Sequence, residues 1–250
     1  MPSKSTKIRR PPPPPCVRPL VILADPPWSY ASRCAHSKTR FGGGVHAHYP
    51  TMATSEICAI PIARDYPDKT AALFLWVTGP HLQGGLDVLA AWGFRFATIV
   101  FTWVKVWPVT SRVLTRGKLI GMRLARPPRI FGGTGFYTRS NVELVLLGVR
   151  GSMPPADRAV KQVMLLPHPR YPADHPKHGK IIHSRKPPDF HAAIERLYPD
   201  ARRVELFARV TRPGWDAWGN QLPDAPRELV ADMPAAPVDV SQLALWGGAA

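Results

Sequence analysis

The 250-residue sequence predicts an α/β fold, a doubly wound and mostly parallel sheet. Three observations point there. Several segments are near-continuous apolar runs rich in β-branched and aromatic residues, as strands covered on both faces are. Stretches of helical period lie between them, and alternation of strand and helix is the signature of a doubly wound sheet. The chain is 45% hydrophobic, which suffices for one domain with a real core.

The elements follow in order. "LVILA" (20–24), "AALFLWVT" (71–78), "FATIVFTWVK" (96–105), "NVELVLLGVR" (141–150) and "RRVELFAR" (202–209) read as strands. "TSEICAI" starts a helix with Thr54 as N-cap and stops at Pro61. "GGLDVLAAWG" (84–93) places Leu86, Leu89 and Ala90 on one face and ends at Gly93. "PPDFHAAIERLYPD" opens with prolines in its first turn and aligns Phe190, Ile194 and Leu197, with Pro199 closing it. Residues 29–50, 106–140 and 151–183 read as long loops, and loops of that length in a compact domain are functional or disordered.

Composition sets the outer bounds. Residues 1–18 read as a disordered basic, proline-rich arm, 19–222 as the folded domain, and 223–250 as a flexible tail rich in Pro, Ala and Asp. No apolar run is long enough to span a bilayer, and the basic N-terminus runs into prolines instead of a signal core. Three cysteines (Cys16, Cys34 and Cys58) without C-x-x-C spacing argue against a disulfide framework and for a reducing, cytoplasmic setting.

The charge balance is lopsided, with 33 Lys+Arg against 17 Asp+Glu and a net charge of +16. An Arg-rich genome alone would raise that figure, but the charges cluster. Lys105, Arg112, Arg116, Lys118, Arg123, Arg126 and Arg129 form one run without an acid. Residues 158–186 hold seven more Lys/Arg with Asp174 as their one acid. Clusters between core segments suit a polyanion, so the 105–129 run is the expected nucleic-acid footprint.

The chemistry concentrates in "LVILADPPWSY". A strand runs into Asp25-Pro26-Pro27-Trp28. Two prolines remove two backbone donors and stiffen the corner, and the residue before a proline is pushed to extended backbone. Ligands of open α/β sheets bind at the carboxyl ends of strands, where this corner stands. A carboxylate beside a bare proline carbonyl gives adjacent acceptors for an exocyclic amine, which carries two N–H donors in a plane. Trp28 offers a face on which a base could stack, worth about 1–3 kcal/mol. The alternative is a structural X-Pro-Pro turn with a core Trp.

"ADPPWSY" resembles the D-P-P-W motif of amino-group methyltransferases. "HYPTMATSEICAIPI", "LFLWVTGPHLQGGLDVLAAWGF", "WVK", "TRSNVELVLLGVRG", "HSRKP" and "VELFAR…GWDAWGNQL" follow in order. Together they resemble the N6-adenine methyltransferase family that includes the catalytic subunit of the eukaryotic mRNA adenosine methyltransferase, in its prokaryotic or phage branch. The resemblance covers roughly residues 20–222.

It implies a Rossmann-like class I fold that depends on S-adenosylmethionine, with permuted motif order and "VELFAR" as the cofactor strand. It places the methionine ammonium at Asp25 and the methionine carboxylate at Lys186. It puts the ribose at Glu205 and Arg209, and the adenosine along Asn220 and Gln221. Asp25, Pro26, Pro27 and Trp28 form the expected catalytic corner. Thr211 and Arg212 stand where the eukaryotic enzyme has a His-Asn pair, and the segment between "WVK" and "TRSN" is longer and more basic than the family requires.

The implied reaction is methyl transfer to adenine N6, with DNA preferred over RNA as substrate. An inactive nucleic-acid-binding protein of the same fold and a cytosine-N4 enzyme are the competing readings. "FGGTGF" (131–136) and "RFGGGV" lack the preceding strand that a cofactor loop needs. His168, His175, His178 and His183 fit no common zinc spacing, and no metal is expected. "SQLALWGG" near the C-terminus resembles the peptide by which bacterial replication proteins dock on the sliding clamp, through Gln242, Leu243, Leu245 and Trp246.

Overall fold

A computed structural model describes residues 19–29, 51–108, 129–133, 137–182 and 184–222. The elements along the chain are β1 (Leu20–Ala24), α1 (Thr54–Cys58), α2 (Ile62–Asp65), β2 (Ala71–Val77), α3 (Leu82–Ala91), β3 (Arg95–Val106), β4 (Val142–Arg150), β5 (Val163–Pro167), α4 (Asp189–Leu197), β6 (Arg202–Leu206) and β7 (Asp216–Trp218). The seven strands form one sheet in the order β5-β3-β4-β2-β1-β6-β7.

Every residue of β1 and β2 is buried. The two strands pair in parallel, with Leu20 opposite Ala71 and Ala24 opposite Leu75. Successive side chains on a strand point to opposite faces. Leu20, Ile22 and Ala24 accordingly join Ile57, Leu89 and Trp92 on the α1/α3 side. Val21 and Leu23 join Phe190, Ile194 and Leu197 of α4 on the other. This two-sided burial is why those strands are apolar without alternation. Phe190 is 1% exposed, and burying a ring of that size contributes about 1.5–3 kcal/mol.

Three buried tryptophans fasten the layers through their indole N–H groups, each with a carbonyl acceptor. Trp92 donates to Ile57 O at 3.0 Å, Trp103 to Leu166 O at 2.9 Å, and Trp28 to Trp76 O at 3.0 Å.

The sequence expectations need several adjustments. β4 runs antiparallel to both β2 and β3, so the parallel pairing is interrupted at the sheet's middle. The long β3–β4 connection doubles back: Phe131 N–H bonds Lys105 O and Trp107 N–H bonds Arg129 O, both at 2.8 Å. β5 lies inside the 151–183 segment expected as loop, paired in parallel with β3. β7 and α2 were also not foreseen. β6 stops at Leu206, short of Arg209, because Phe207 takes φ 61° and turns the chain. Ala53, not Thr54, is the N-cap of α1, and its N–H donates to the Glu56 carboxylate at 2.6 Å. The third and longest expected helix is as foreseen, with Phe190, Ile194 and Leu197 buried.

Candidate active site

β1, flanked by β2 and β6, delivers Asp25 at its carboxyl end, and the chain then turns sharply. Trp28 N–H donates to Pro26 O at 2.9 Å, Met52 N–H to Pro27 O at 2.8 Å, and Ser29 N–H to Met52 O at 3.0 Å. The two prolines lack N–H donors, so their carbonyls are what the corner offers, and the 51–53 segment pins it in place. Pro26 O already accepts from Trp28, which leaves it one lone pair for a ligand.

Trp28 requires a correction. It is 6% exposed, and its ring stacks on His81 with centroids 5.2 Å apart. His81 is itself held by Thr78 Oγ1 at 2.9 Å and by the Ser29 carbonyl at 3.0 Å. The indole is thus anchored by its N–H and on one face, and it walls the pocket instead of standing free as a stacking platform.

Lys186 lies opposite Asp25. Its Nζ is 2.9 Å from Oδ1 and 2.8 Å from Oδ2 of Asp25, and 3.2 Å from Glu143 Oε2. Glu143 in turn holds Lys105 Nζ at 2.7 Å through Oε1. Asp25, Lys186, Glu143 and Lys105 therefore make a chain of alternating charge at the carboxyl end of β1. The ammonium of Lys186 also sits 5.1 Å from the Trp76 ring centroid, a favourable contact with the aromatic face.

Burial and charge oppose each other at each group. At Asp25 burial raises the pKa above the usual carboxylate value, and Lys186 offsets only part of that. At Glu143 burial is outweighed by the ammonium groups of Lys186 and Lys105, and the pKa is lowered. At Lys186 burial is outweighed by Asp25 and Glu143, which hold it protonated.

Two small cavities flank the Asp25–Lys186 pair, and both residues line each of them. One, of about 90 Å³, faces Pro26, Pro27, Trp28 and Glu143. The other, of about 40 Å³, faces His191, Glu205 and Phe207. Arg209 borders both, and also a third, open cleft of about 1020 Å³. Glu205 Oε2 lies 2.8 Å from His191 Nε2.

The expected residues thus divide. Asp25, Pro26, Pro27, Trp28, Lys186, Glu205 and Arg209 gather around the two small cavities. Gln221 borders the large cleft, and Asn220 is exposed in the turn after β7. Lys105 leaves the expected nucleic-acid footprint, because its side chain is 15% exposed and committed to Glu143. Arg129 is exposed. Arg112, Arg116, Lys118, Arg123 and Arg126 lie outside the described residues, as do Gln242, Leu243, Leu245 and Trp246.

Glu143 was missed. The signal was present, since an acid inside the apolar run "NVELVLLG" is as unusual as Glu205 inside "VELF". Gly219 was quoted only as part of a motif. A Cβ there would stand 2.1 Å from Ala208 O and 2.6 Å from Ala208 N, so the backbones of two segments meet at that residue.

The site brings acceptors and donors of both charges together at the carboxyl ends of β1 and β6. Asp25 and Glu205 are carboxylate acceptors and Lys186 and Arg209 cationic donors, with Asp25 and Lys186 paired to each other and Glu205 to His191.

Comparison with known proteins places the chain in a family. A profile of the MT-A70 family matches residues 19–221. The Type II methyltransferase M.MunI of Mycoplasma sp. is 27% identical over 226 residues, spanning 84% of this chain and 80% of that protein. A putative N(6)-adenosine-methyltransferase MT-A70-like protein of Medicago truncatula is 30% identical over 204 residues, 81% of this chain and 26% of its own length. The human N(6)-adenosine-methyltransferase catalytic subunit METTL3 is 27% identical over 206 residues, 81% of this chain and 28% of its own length. The chain therefore spans about a quarter of those plant and human relatives.

Proposed function

The chain belongs to the MT-A70 family, and from that premise we propose that it uses S-adenosylmethionine to methylate the N6 amine of adenine in DNA. The observation that carries this reading is the Asp25–Lys186 pair with a cavity on each side. The proline corner lies on one side and Glu205 on the other, so the methyl acceptor and the donor meet at Asp25.

The amine of adenine is a poor nucleophile, because its lone pair is delocalised into the ring. The Asp25 carboxylate and the remaining lone pair of Pro26 O accept its N–H bonds and favour the pyramidal nitrogen of the attack. Hydrogen bonds to a charged group contribute about 1.5–3 kcal/mol each. Burial raises the pKa of Asp25 and so strengthens the carboxylate as an acceptor. Lys186 would hold the cofactor's methionine carboxylate, while Glu205 and Arg209 would hold its ribose. When bound, S-adenosylmethionine supplies an activated methyl group on a sulfonium. Asp25 and Glu143 together keep Lys186 protonated against its burial, and Glu143 helps to hold it in place. Most of the remaining acceleration is alignment of the amine with the methyl. An adenine inside a duplex is beyond reach of this corner and must be flipped out or already unpaired.

The preference for DNA is supported by the near end-to-end match with M.MunI. RNA is the second reading, favoured by the plant and human relatives named as N(6)-adenosine-methyltransferases. The deciding experiment is transfer of labelled methyl to duplex DNA, single-stranded DNA and RNA, with nucleoside analysis of the products. N6-methyldeoxyadenosine is the expected product. Label on RNA alone would move the substrate to the second reading, label on cytosine would overturn the adenine assignment, and cofactor binding without any transfer would point to an inactive scaffold.

A further inference from the structure

We propose that residues 168–182 are a built hairpin that grips the sugar-phosphate backbone of the strand carrying the target adenine. The inference rests on the nucleic-acid reading above and goes beyond it by naming the surface that holds the strand.

The segment has internal structure. Tyr171 N–H donates to Lys180 O at 3.0 Å, Gly179 N–H to Tyr171 O at 3.1 Å, and Ile182 N–H to Pro169 O at 2.9 Å. Arg170 pairs with Ile181 as an antiparallel bridge, and its guanidinium caps Gly179 O. Gly179 takes φ 72°, a left-handed turn that glycine adopts without strain. The Tyr171 ring lies on His175, with centroids 4.2 Å apart and planes 21° apart.

This hairpin forms one wall of the 1020 Å³ cleft, whose lining includes Arg170, Lys177, Lys180, Arg185 and Arg209 and, among the described residues, no acid. Among the described residues, Lys177, Lys180 and Arg185 have no carboxylate partner. Five cations around one cleft repel each other, and a polyanion relieves that repulsion while releasing its own counterions. The cleft adjoins the reaction centre, since Arg209 borders it and both small cavities, and Arg185 borders it and the one at Glu205. Trp107, 40% exposed on the same cleft, adds a face on which an unpaired neighbouring base can stack. Exposed lysines spaced along a pinned turn reach phosphates, whereas the lysines of the Asp25–Glu143 chain are consumed by carboxylates.

The test is the double variant Lys177→Gln/Lys180→Gln in the full chain. The hairpin's hydrogen bonds at these positions use backbone atoms, so the substitution removes charge, and with it the contact of Lys177 Nζ with the Tyr171 ring, 5.9 Å from its centroid. Binding of a fluorescent single-stranded DNA oligonucleotide containing adenine is followed by anisotropy across a salt series. The slope of log affinity against log salt should fall by about 1.4 and affinity by about 25-fold at 0.1 M salt, from about 0.7 per phosphate contact on single strands. S-adenosylmethionine affinity, measured by calorimetry, should match the wild type. Lys177→Arg/Lys180→Arg should restore both slope and affinity. An unchanged slope in the Gln variant would overturn the proposal and move the grip elsewhere. Failure of the Arg variant to recover would overturn it too, by showing that shape and not charge was lost. A wild-type protein that binds the oligonucleotide with the expected slope yet methylates nothing would defeat the proposed activity and leave the hairpin standing.

Discussion

Lys186 Nζ sits 2.9 and 2.8 Å from the two oxygens of Asp25, across 161 positions of sequence. The contact joins the end of the first strand to the loop ahead of the last helix, and it places opposite charges at the point where both small cavities meet. The first prediction concerns that point. Asp25→Ala should reduce methyl transfer by about 10²–10³, on the scale of losing one preorganised electrostatic partner. The fold should survive, because Lys186 keeps Glu143 as a counter-ion. Activity and thermal melting of the variant check both halves, and wild-type turnover would remove Asp25 from the mechanism.

Glu143 shapes the pH response. Its negative charge helps to raise the pKa of Asp25, so Glu143→Gln should shift the acidic limb of the activity profile to lower pH. A pH–rate series of both proteins at saturating substrate reads this directly.

The same variant should cost stability at neutral pH, on the order of 3 kcal/mol, since it leaves two partly buried ammonium groups short of a partner. The folded-state pKa of Glu143 is lowered below its ordinary 4.5. Its contribution is therefore fully present above that value and is lost as pH falls through the folded pKa. Urea melts of wild type and Glu143→Gln should accordingly converge under acid conditions and diverge at pH 7.

Gly219→Ala should be among the most damaging single-methyl additions. The added carbon would occupy space held by Ala208 O at 2.1 Å, and both neighbours are backbone that cannot rotate away. The Ala208 N–H bond to Trp218 O, 2.9 Å long, anchors β7 beside β6 and would have to break. Loss of at least about 2 kcal/mol in unfolding and of S-adenosylmethionine binding by calorimetry are the expected readings. A variant with wild-type melting would show that the two segments separate easily.

Trp28→Phe keeps the aromatic wall and deletes the indole N–H. The Trp76 carbonyl, buried in the sheet, then lacks that donor, at a cost of about 1–3 kcal/mol. Because Trp28 braces the corner and is stacked on His81, the activity loss should track the stability loss. Activity abolished without any change in melting would instead restore the base-stacking role expected from sequence.

The C-terminal resemblance has its own check. A labelled peptide of residues 236–250 should bind purified bacterial sliding clamp, and Leu245→Ala plus Trp246→Ala should abolish that binding. No binding at tens of micromolar, about 10⁻⁵ M, would end the docking idea.

The sequence by itself determined the α/β class, the two fully buried central strands and the helix of Phe190, Ile194 and Leu197, because burial on both faces or on one stripe leaves a local period. It also determined the Asp25-Pro26-Pro27 corner, since two prolines constrain their backbone wherever they fall. Tertiary structure alone decided the rest. Lys105 reads as one more cation of a basic run until Glu143, on the neighbouring strand, takes its charge. Trp28 reads as an exposed platform until His81 covers one face. β4 reads like any apolar strand, and its direction is decided only by its antiparallel pairing with β2 and β3. Residues 168–182 read as loop because their order comes from hydrogen bonds across a turn, which leave no apolar period. Ion pairs, strand direction and close backbone approach all join residues far apart in the chain, and no local pattern records which of them meet.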